Sequence, residues 1–246
     1  MDARLARVPS ADELRIAGLT RFSTVDWPGR MTATVFLQGC PWNCFYCHNP
    51  ALIDPRARTD VEWADVTDLL EARVGLLDGV VFSGGEPTLQ RALPAAMDAA
   101  RARGFAVGLH TAGAFPGLLA RALPHLDWIG LDIKATGSEY AAVTGRANSG
   151  DHAWRSLELV LANQALRAGT ERPLDYEVRT TVHPAVADDA TLRDLGCRLA
   201  AAGVDTWAVQ RFRTLGVREP LPPARDGAEL RFRDLPAELF TRFALR

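Results

Sequence analysis

No run of apolar residues in this chain approaches the ~20 residues that a membrane-crossing helix requires. The first ten residues, M-D-A-R-L-A-R-V-P-S, contain no apolar h-region, so no secretory signal is expected. Cysteine is scarce, with four residues, three of them within one short segment. That excludes a disulfide framework and suits a cytosolic chain with a metal site. A charge excess is missing too. Lys and Arg number 28 against 30 Asp and Glu, a formal net charge of −2. This counts against a protein built mainly to bind nucleic acid or an anionic membrane, and leaves room for a local basic patch. Low-complexity tracts are absent, and no repeat is visible beyond an alternation of short elements. The expected location is the cytoplasm.

What remains is a 246-residue chain, 48% hydrophobic, long enough for one sizeable domain or two small ones. Residues 1–14 read as a polar, flexible leader. A short apolar stretch at 15–19 and the turn signal Asp26-Trp27-Pro28-Gly29 precede a β-like run at 32–37. Five more short apolar runs follow, at 79–82, 105–110, 128–133, 176–182 and 206–210. Helical spacing falls between them at 63–74, 89–103, 116–123, 154–167 and 191–202. Six strands alternating with helices predict a parallel sheet of βαβ units. Six fall short of the eight of a closed barrel, so the expected fold is α/β, a partial open (β/α)6 barrel over residues 15–213. A doubly wound open sheet is the runner-up. Residues 214–246 read as a Pro-rich connector with a short helix near 236–243. In either fold, chemistry belongs at the C-terminal ends of the strands.

The cysteine segment lies after the first core strand: G-C-P-W-N-C-F-Y-C-H, with Cys40, Cys44 and Cys47 spaced C-x3-C-x2-C. Three thiolates at this spacing do not fit one face of a helix or strand. They call for a loop wrapped around a compact object. Thiolates select iron–sulfur clusters, zinc or copper(I). Three ligands on a 4Fe–4S cluster would leave one iron open. A Cys3His zinc site with His48 is the alternative, although Cys47 and His48 are awkwardly adjacent for one tetrahedral ion.

Ser83-Gly84-Gly85-Glu86-Pro87 follows the second core strand. Two residues without Cβ let another group approach the backbone, Glu86 puts a negative charge at the strand end, and Pro87 suits the start of a helix. Alone this reads as a glycine turn. With the cysteine spacing and the aromatic Tyr46 before the last cysteine, it resembles the radical S-adenosylmethionine (SAM) superfamily. The resemblance implies a 4Fe–4S cluster on the three cysteines, SAM chelated by the open iron, Tyr46 against the adenine, and Gly84, Gly85 and Glu86 around the SAM ammonium group.

Further segments are similar to one subfamily: I-A-G-L-T-R-F-S-T-V-D-W-P-G (16–29), V-F-L-Q-G-C (35–40), C-H-N-P (47–50), F-S-G-G-E-P-T-L-Q (82–90), D-I-K (132–134), V-T-G (143–145) and Y-E-V-R-T-T-V (176–182). Together, over roughly residues 16–213, they resemble the activating proteins of anaerobic ribonucleoside-triphosphate reductase, a class of glycyl-radical-enzyme activases. That implies reductive cleavage of SAM to a 5′-deoxyadenosyl radical, hydrogen abstraction from a partner's glycine Cα, and flavodoxin or ferredoxin as electron donor. An activase of another glycyl-radical enzyme, or a deazapurine synthase-like enzyme acting on a small molecule, is the alternative within the superfamily. A non-catalytic iron–sulfur or zinc protein is the alternative outside it. One departure stands out. Where related activases have D-T-N-G, this chain has His110-Thr111-Ala112-Gly113. The resemblance implies a cation site there, which His110 fits poorly. His110 would contact the SAM carboxylate directly or serve as a hydrogen-bonded strand-end residue. Asp132, Lys134 and Arg179 are expected to line the SAM pocket, with Thr181 and Gln210 as weaker candidates. Asp132 and Lys134 share a strand face and could equally be a simple ion pair. Cys197 is expected to be a buried small hydrophobe. Trp42 and Phe45 are expected to shield the cluster or to pack in the core.

Overall fold

The computed structural model describes residues 7, 9–137, 139–226 and 230–246. A single sheet of eight strands winds in strict sequence order, β1 (Ile16–Ser23), β2 (Thr32–Leu37), β3 (Gly79–Gly84), β4 (Ala106–Thr111), β5 (Trp128–Asp132), β6 (Asp175–Val182), β7 (Thr206–Arg211) and β8 (Arg242–Leu245). β1 runs antiparallel to β2, and every later pair is parallel. Unbroken order excludes the doubly wound alternative, whose strand order reverses at a switch point. Strands β2–β7 are the expected six, and no ladder joins β1 to β8, so the barrel stays open.

The strands form where short runs of β-branched and aliphatic residues are buried on both faces, as parallel sheets require. In β2 (T-A-T-V-F-L), five of six residues are buried. Helices α1 (Trp63–Glu71), α2 (Leu93–Ala102), α3 (Pro116–Ala122), α4 (Glu139–Thr144), α5 (Ser149–Arg167) and α6 (Asp189–Ala201) fall between the strands. Each longer helix turns one stripe inward. α1 buries Trp63, Val66, Leu69 and Leu70, and α6 buries Leu192, Leu195 and Leu199. Asp188 caps α6 by accepting from Thr191 N, in a capping box. No described helix is long and apolar enough to cross a membrane.

The structure departs from expectation at both ends. Part of the expected leader is core. Ser10 and Glu13 form a capping box around a 3-10 turn, and Ala11 and Leu14 are buried. Residues 1–6 and 8 of that stretch lie outside the described residues. The short helix expected at 236–243 is a single 3-10 turn (Ala237–Leu239) followed by β8. Phe240 and Phe243 have helical spacing, but both pack on Trp207, 5.1 and 5.6 Å between ring centroids, from a chain that pairs with β7. α4, only six residues long, carried no readable periodicity, and α5 begins five residues before its expected start.

The interior is plugged from below by the β1–β2 turn. Trp27 stacks on Trp128 with 5.5 Å between ring centroids and packs on Val81. Gly108 makes this possible, because a Cβ there would lie 2.9 Å from the Trp27 ring. Asp26 Oδ2 accepts from Thr34 Oγ1 at 2.7 Å, which ties the turn to β2. Removing a buried tryptophan costs about 3–5 kcal/mol, so Trp27→Ala should lower the thermal midpoint by roughly 10 °C or more for a chain of this size. Scanning calorimetry or circular dichroism of the apoprotein checks it. An unchanged midpoint would mean the plug contributes no stability.

Candidate functional site

All six core strands point their C-terminal ends into one open cleft of about 590 Å³. The cysteine loop, which follows β2, forms one side, and Cys40, Cys44 and Cys47 all face the cleft as free thiols. Backbone bonds anchor the loop along its length. Gly39 N donates to Leu52 O (2.8 Å), Cys40 N to Ile53 O (3.0 Å), Asn43 N to Thr144 O (2.9 Å) and Phe45 N to Val143 O (3.2 Å). Behind it, the buried Gln38 amide donates to Ala51 O and Asp54 O (3.0 and 2.7 Å), and Gln90 donates to Gln38 O (3.0 Å). Cys44 accepts Cys47 N through its carbonyl (3.1 Å), which curls the loop's end.

The glycines of the Gly84-Gly85 turn face the cleft, but neighbouring chain already occupies the space their missing side chains leave. A Cβ on Gly85 would lie 2.3 Å from Gly39 O, and one on Gly84 (φ +121°) 2.3 Å from Leu37 N. Gly85 N donates to Leu37 O (2.9 Å) and Glu86 N to Gly39 O (2.8 Å). The turn is therefore stitched to the root of the cysteine loop.

Glu86 is fully buried and is absent from the cleft wall. Its Oε1 accepts from Thr88 N (3.2 Å), Thr88 Oγ1 (2.6 Å) and Thr111 Oγ1 (2.6 Å), and its Oε2 from Ala112 N (2.9 Å). Burial pushes its carboxyl up, and those four donors pull it back. It thus clamps the end of β3 to the end of β4.

Asp132, Lys134 and Arg179 do come together on the cleft wall. Asp132 and Arg179 are direct partners in the β5–β6 ladder. Lys134 Nζ lies 3.0 Å from Asp132 Oδ2, and Arg179 Nε 3.2 Å from Asp132 Oδ1. The arginine passes over Gly130, where a Cβ would lie 2.8 Å from its Cζ. Burial alone would raise the Asp132 carboxyl, but the two cations outweigh it and hold it below the usual carboxylate range. Burial disfavours the Lys134 cation, yet Asp132 and its other neighbours hold its pKa well above the usual value. The ion pairs form, and all three side chains line the cleft. Thr181 and Gln210 also line the cleft, joined by a 3.2 Å hydrogen bond.

His110 is a strand-end residue with both ring nitrogens engaged. Nε2 lies 2.6 Å from Asp26 O and Nδ1 3.3 Å from Ser83 Oγ. A carbonyl only accepts, so Nε2 carries the proton and Nδ1 accepts from Ser83. Burial, with the nearby Arg179 charge, pushes the His110 pKa down to about 3. The ring also packs edge-on against Trp128, 5.5 Å between centroids, and faces the cleft.

Tyr46 is buried between Phe45, His183 and Phe212, with Lys134 Nζ 5.8 Å from its ring centroid. Its hydroxyl is buried without a hydrogen-bond partner. Trp42 packs edge-on to Tyr140 at 6.0 Å. Cys197, expected in the core, is exposed on α6. The helix's inward stripe is filled by Leu192, Leu195 and Leu199, and Cys197 falls off it.

Several contributors were not anticipated. His183, just past β6, packs on Phe45 and Phe212 at 5.1 and 4.6 Å. Glu177 on β6 holds Arg246 bidentately (3.0 and 2.7 Å), bringing β8 into the cleft wall. The chain after β7 drapes over the cysteine loop, with Arg213 O 2.9 Å from His48 Nε2, and Arg218 bonded to the Asn43 side chain. A charged residue inside an apolar strand was the available signal for Glu177. Nothing in the connector's composition announced its position.

The donor set fits an iron–sulfur cluster. Three unpaired thiols stand on one anchored loop at one cleft. Burial pushes the Cys40 thiol up to about 12 and raises Cys44, so only a bound cation would make these thiolates favourable at neutral pH. Among the described residues, no three His, Cys, Asp or Glu side chains are close enough to hold one metal ion, and His48 Nε2 is engaged by Arg213 O. That leaves the Cys3His zinc alternative without a formed coordination sphere. The orphaned Tyr46 hydroxyl marks an unfinished polar contact beside the cysteines.

Comparison with known proteins gives one family match, two relatives and two similar structures. The family model of the radical SAM superfamily matches residues 34–165, just over half of the chain. A Methanocaldococcus jannaschii protein whose name places it among glycyl-radical enzyme activating enzymes is 28% identical over 230 residues, spanning 90% of this chain and 85% of that one. A pyruvate formate-lyase-activating enzyme of Clostridium pasteurianum is 32% identical over 142 residues, covering 55% of this chain and 59% of that one. Among solved structures, Streptococcus suis SuiB bound to S-adenosylmethionine superposes with a TM-score of 0.57 at 14% identity, over 85% of this chain and 48% of that chain. TYW1 with a lysine–pyruvate adduct gives 0.53 at 14% identity, over 76% and 66%. This chain spans about half the length of SuiB, and both likenesses are of fold.

His110 generates a test. Its folded pKa lies far below the ordinary 6.5, so between those values the unfolded chain binds more protons and stability rises with pH. The apoprotein should lose stability as pH falls from 6.5 toward 4.5, and His110→Asn should flatten that slope. Urea midpoints across this range measure it. Parallel slopes for the two proteins would show that His110 is not held neutral.

Proposed function

The chain belongs to the radical SAM superfamily, and from that premise we propose that it is a glycyl-radical-enzyme activase, with anaerobic ribonucleoside-triphosphate reductase as its partner. The observation that carries the reading is the open cleft, with cysteine loop, Gly-Gly turn and Asp132–Lys134–Arg179 cluster on one rim. A polypeptide loop needs such an opening to reach a buried reacting centre. A deazapurine synthase-like enzyme would instead enclose a compact polar molecule.

In this reading Cys40, Cys44 and Cys47 would hold a 4Fe–4S cluster. Cluster and SAM together supply the one-electron cleavage that yields methionine and a 5′-deoxyadenosyl radical. The protein binds and orients. Gly84 and Gly85 expose backbone groups to the SAM ammonium. Glu86 contributes by fixing that turn against β4, because both of its carboxylate oxygens accept from protein donors. Tyr46 would lie beside the adenine. Lys134 and Arg179, with their charges only partly balanced by Asp132, meet the SAM carboxylate. His110 stays neutral, positioned by Asp26 and Ser83. A monovalent cation has no ligand in such an imidazole, so the carboxylate is met by side chains here. The electron donor in this reading is flavodoxin or ferredoxin, and the setting is the cytoplasm.

The test is anaerobic reconstitution with iron and sulfide, followed by dithionite, SAM and the purified reductase. Wild-type protein should release 5′-deoxyadenosine and give a glycyl radical by electron paramagnetic resonance. Cys44→Ala should lower both by about 100-fold or more, in keeping with loss of a metal ligand's support. 5′-Deoxyadenosine without a glycyl radical on the reductase would move the assignment to another partner or to a small substrate. A colourless, zinc-loaded protein without product would replace it with a metal-binding module.

A further inference from the structure

The chain has one lysine against 27 arginines, and that lysine is Lys134. Its side chain is 10% exposed on the cleft wall, with Nζ 3.0 Å from Asp132 Oδ2 and 5.8 Å from the Tyr46 ring centroid. An ammonium is a compact charge, and it suits so closed a space better than a forked guanidinium. The sheet alone does not set its place. The β5–β6 ladder ends with Asp132 opposite Arg179. Ile133 still bonds to β6, donating to Arg179 O (2.9 Å) and accepting from Thr180 Oγ1 (2.7 Å). Beyond Ile133 the chain leaves the ladder.

There a side chain takes over from the strand. Tyr140, buried on α4, accepts from Lys134 N (3.2 Å) and donates to Asp132 O (3.3 Å) through one hydroxyl. It thus bridges the residues on either side of Ile133. Burial pushes its pKa well above the ordinary tyrosine value, so the hydroxyl keeps its proton and remains a donor. The same short helix holds the cysteine loop. Its Val143 and Thr144 carbonyls accept from Phe45 N (3.2 Å) and Asn43 N (2.9 Å), and Trp42 packs edge-on to the Tyr140 ring. Thr144 Oγ1 in turn donates to Tyr140 O (2.9 Å). α4 therefore sets the spacing between the cysteine loop and the Lys134 ammonium.

We propose that Tyr140 is a positioning residue for the SAM carboxylate, acting through the backbone at Asp132 and Lys134. The inference rests on the reading that Lys134 meets that carboxylate, and adds the group that aims it. Without the hydroxyl, the Lys134 amide loses its acceptor in a buried place, and the strand end relaxes toward other partners. The ammonium, on its flexible four-carbon stem, moves with it. The aromatic ring still fills the space beside Trp42, so the cysteine loop keeps its support. The loss therefore falls on the carboxylate end of the ligand and spares the adenosine end. A merely structural tyrosine would weaken every ligand alike.

The experiment uses reconstituted holoenzyme with its cluster oxidised, so that no turnover intervenes. Equilibrium dialysis compares SAM with decarboxylated SAM, which keeps the adenosine, sulfonium and amino group and lacks only the carboxylate. Wild-type protein should prefer SAM. Lys134→Met should cut that preference about tenfold, the size of one charged hydrogen bond. Tyr140→Phe should cut it about threefold or more, by weakening SAM while decarboxylated SAM stays within about twofold. The double variant should lose no more than Lys134→Met, because Tyr140 acts through the lysine. Iron content and visible absorbance report whether each variant holds its cluster. Nitrogen-15 lysine labelling gives a single amide cross-peak in a chain with one lysine, and in Tyr140→Phe that amide should exchange about tenfold faster or more. If Tyr140→Phe loses the cluster, replacing Tyr140 by 3-fluorotyrosine decides. This keeps ring and hydroxyl but makes the oxygen a weaker acceptor, so the Lys134 amide peak should move upfield, and an unmoved peak would overturn the proposal. So would equal weakening of both ligands, or an unchanged preference in cluster-bearing Tyr140→Phe. A preference that survives Lys134→Met would sink the carboxylate role of Lys134 and that of Tyr140 with it. One lost in Lys134→Met but kept in Tyr140→Phe would sink Tyr140 alone. In each case the activase reading stands or falls separately, on the glycyl radical.

Discussion

Gly85 lies against the carbonyl of Gly39 so closely that no side chain fits between them, and the site depends on that contact. Through it the turn after β3 grips the residue just before Cys40. Glu86 N then donates to the same carbonyl, and the Glu86 carboxylate reaches onward to Thr111 and Ala112 at the end of β4. Residues 52–53, residues 143–144 and the connector hold the loop elsewhere, and this contact holds its root. The ends of three successive strands are thereby locked into one rigid edge. The register of the parallel sheet, which pairs Leu37 with Gly84, sets up this approach before any ligand binds. Preorganisation of this kind lets ligand binding proceed without ordering the loop first.

The strands and their order were legible because each is a short apolar run bounded by turn residues, and the alternation with helices admits few topologies. The cysteine motif was legible because its spacing makes sense only around a compact metal group. What escaped were features set by tertiary contact. β8 has a helix-like spacing of Phe240 and Phe243, and the ladder to β7 with packing on Trp207 makes it a strand. Cys197 looked like core because its neighbours are Ala and Leu, yet the helix turns it outward. Glu86 illustrates a subtler limit. Its position was predicted, but the four donors that consume its carboxylate come from residues up to 26 positions away, which no local pattern encodes.

Charge in the cleft is arranged in layers. At the floor, the Trp27–Trp128 stack gives an apolar base, and His110 above it is kept neutral by burial and by the Arg179 charge. A cationic imidazole there would repel the arginine that Asp132 is positioned to hold. In the middle, one carboxylate faces two cations, which leaves a net positive wall beside the three cysteines. At Cys44 that field works against burial, because the Lys134 charge pulls the thiol pKa down while burial raises it.

The draped connector completes this arrangement from the other side. Phe212 packs among Tyr46, His183 and His48, and Arg218 reaches Asn43 within the cysteine loop. The connector thus binds the same loop that the Gly-Gly turn holds at its root, from the opposite face. Its far end continues into β8 and the residue after it, where Arg242 pairs with Asp175 at the surface and Arg246 with the buried Glu177. The second pair costs more to break, because Glu177 is withheld from water.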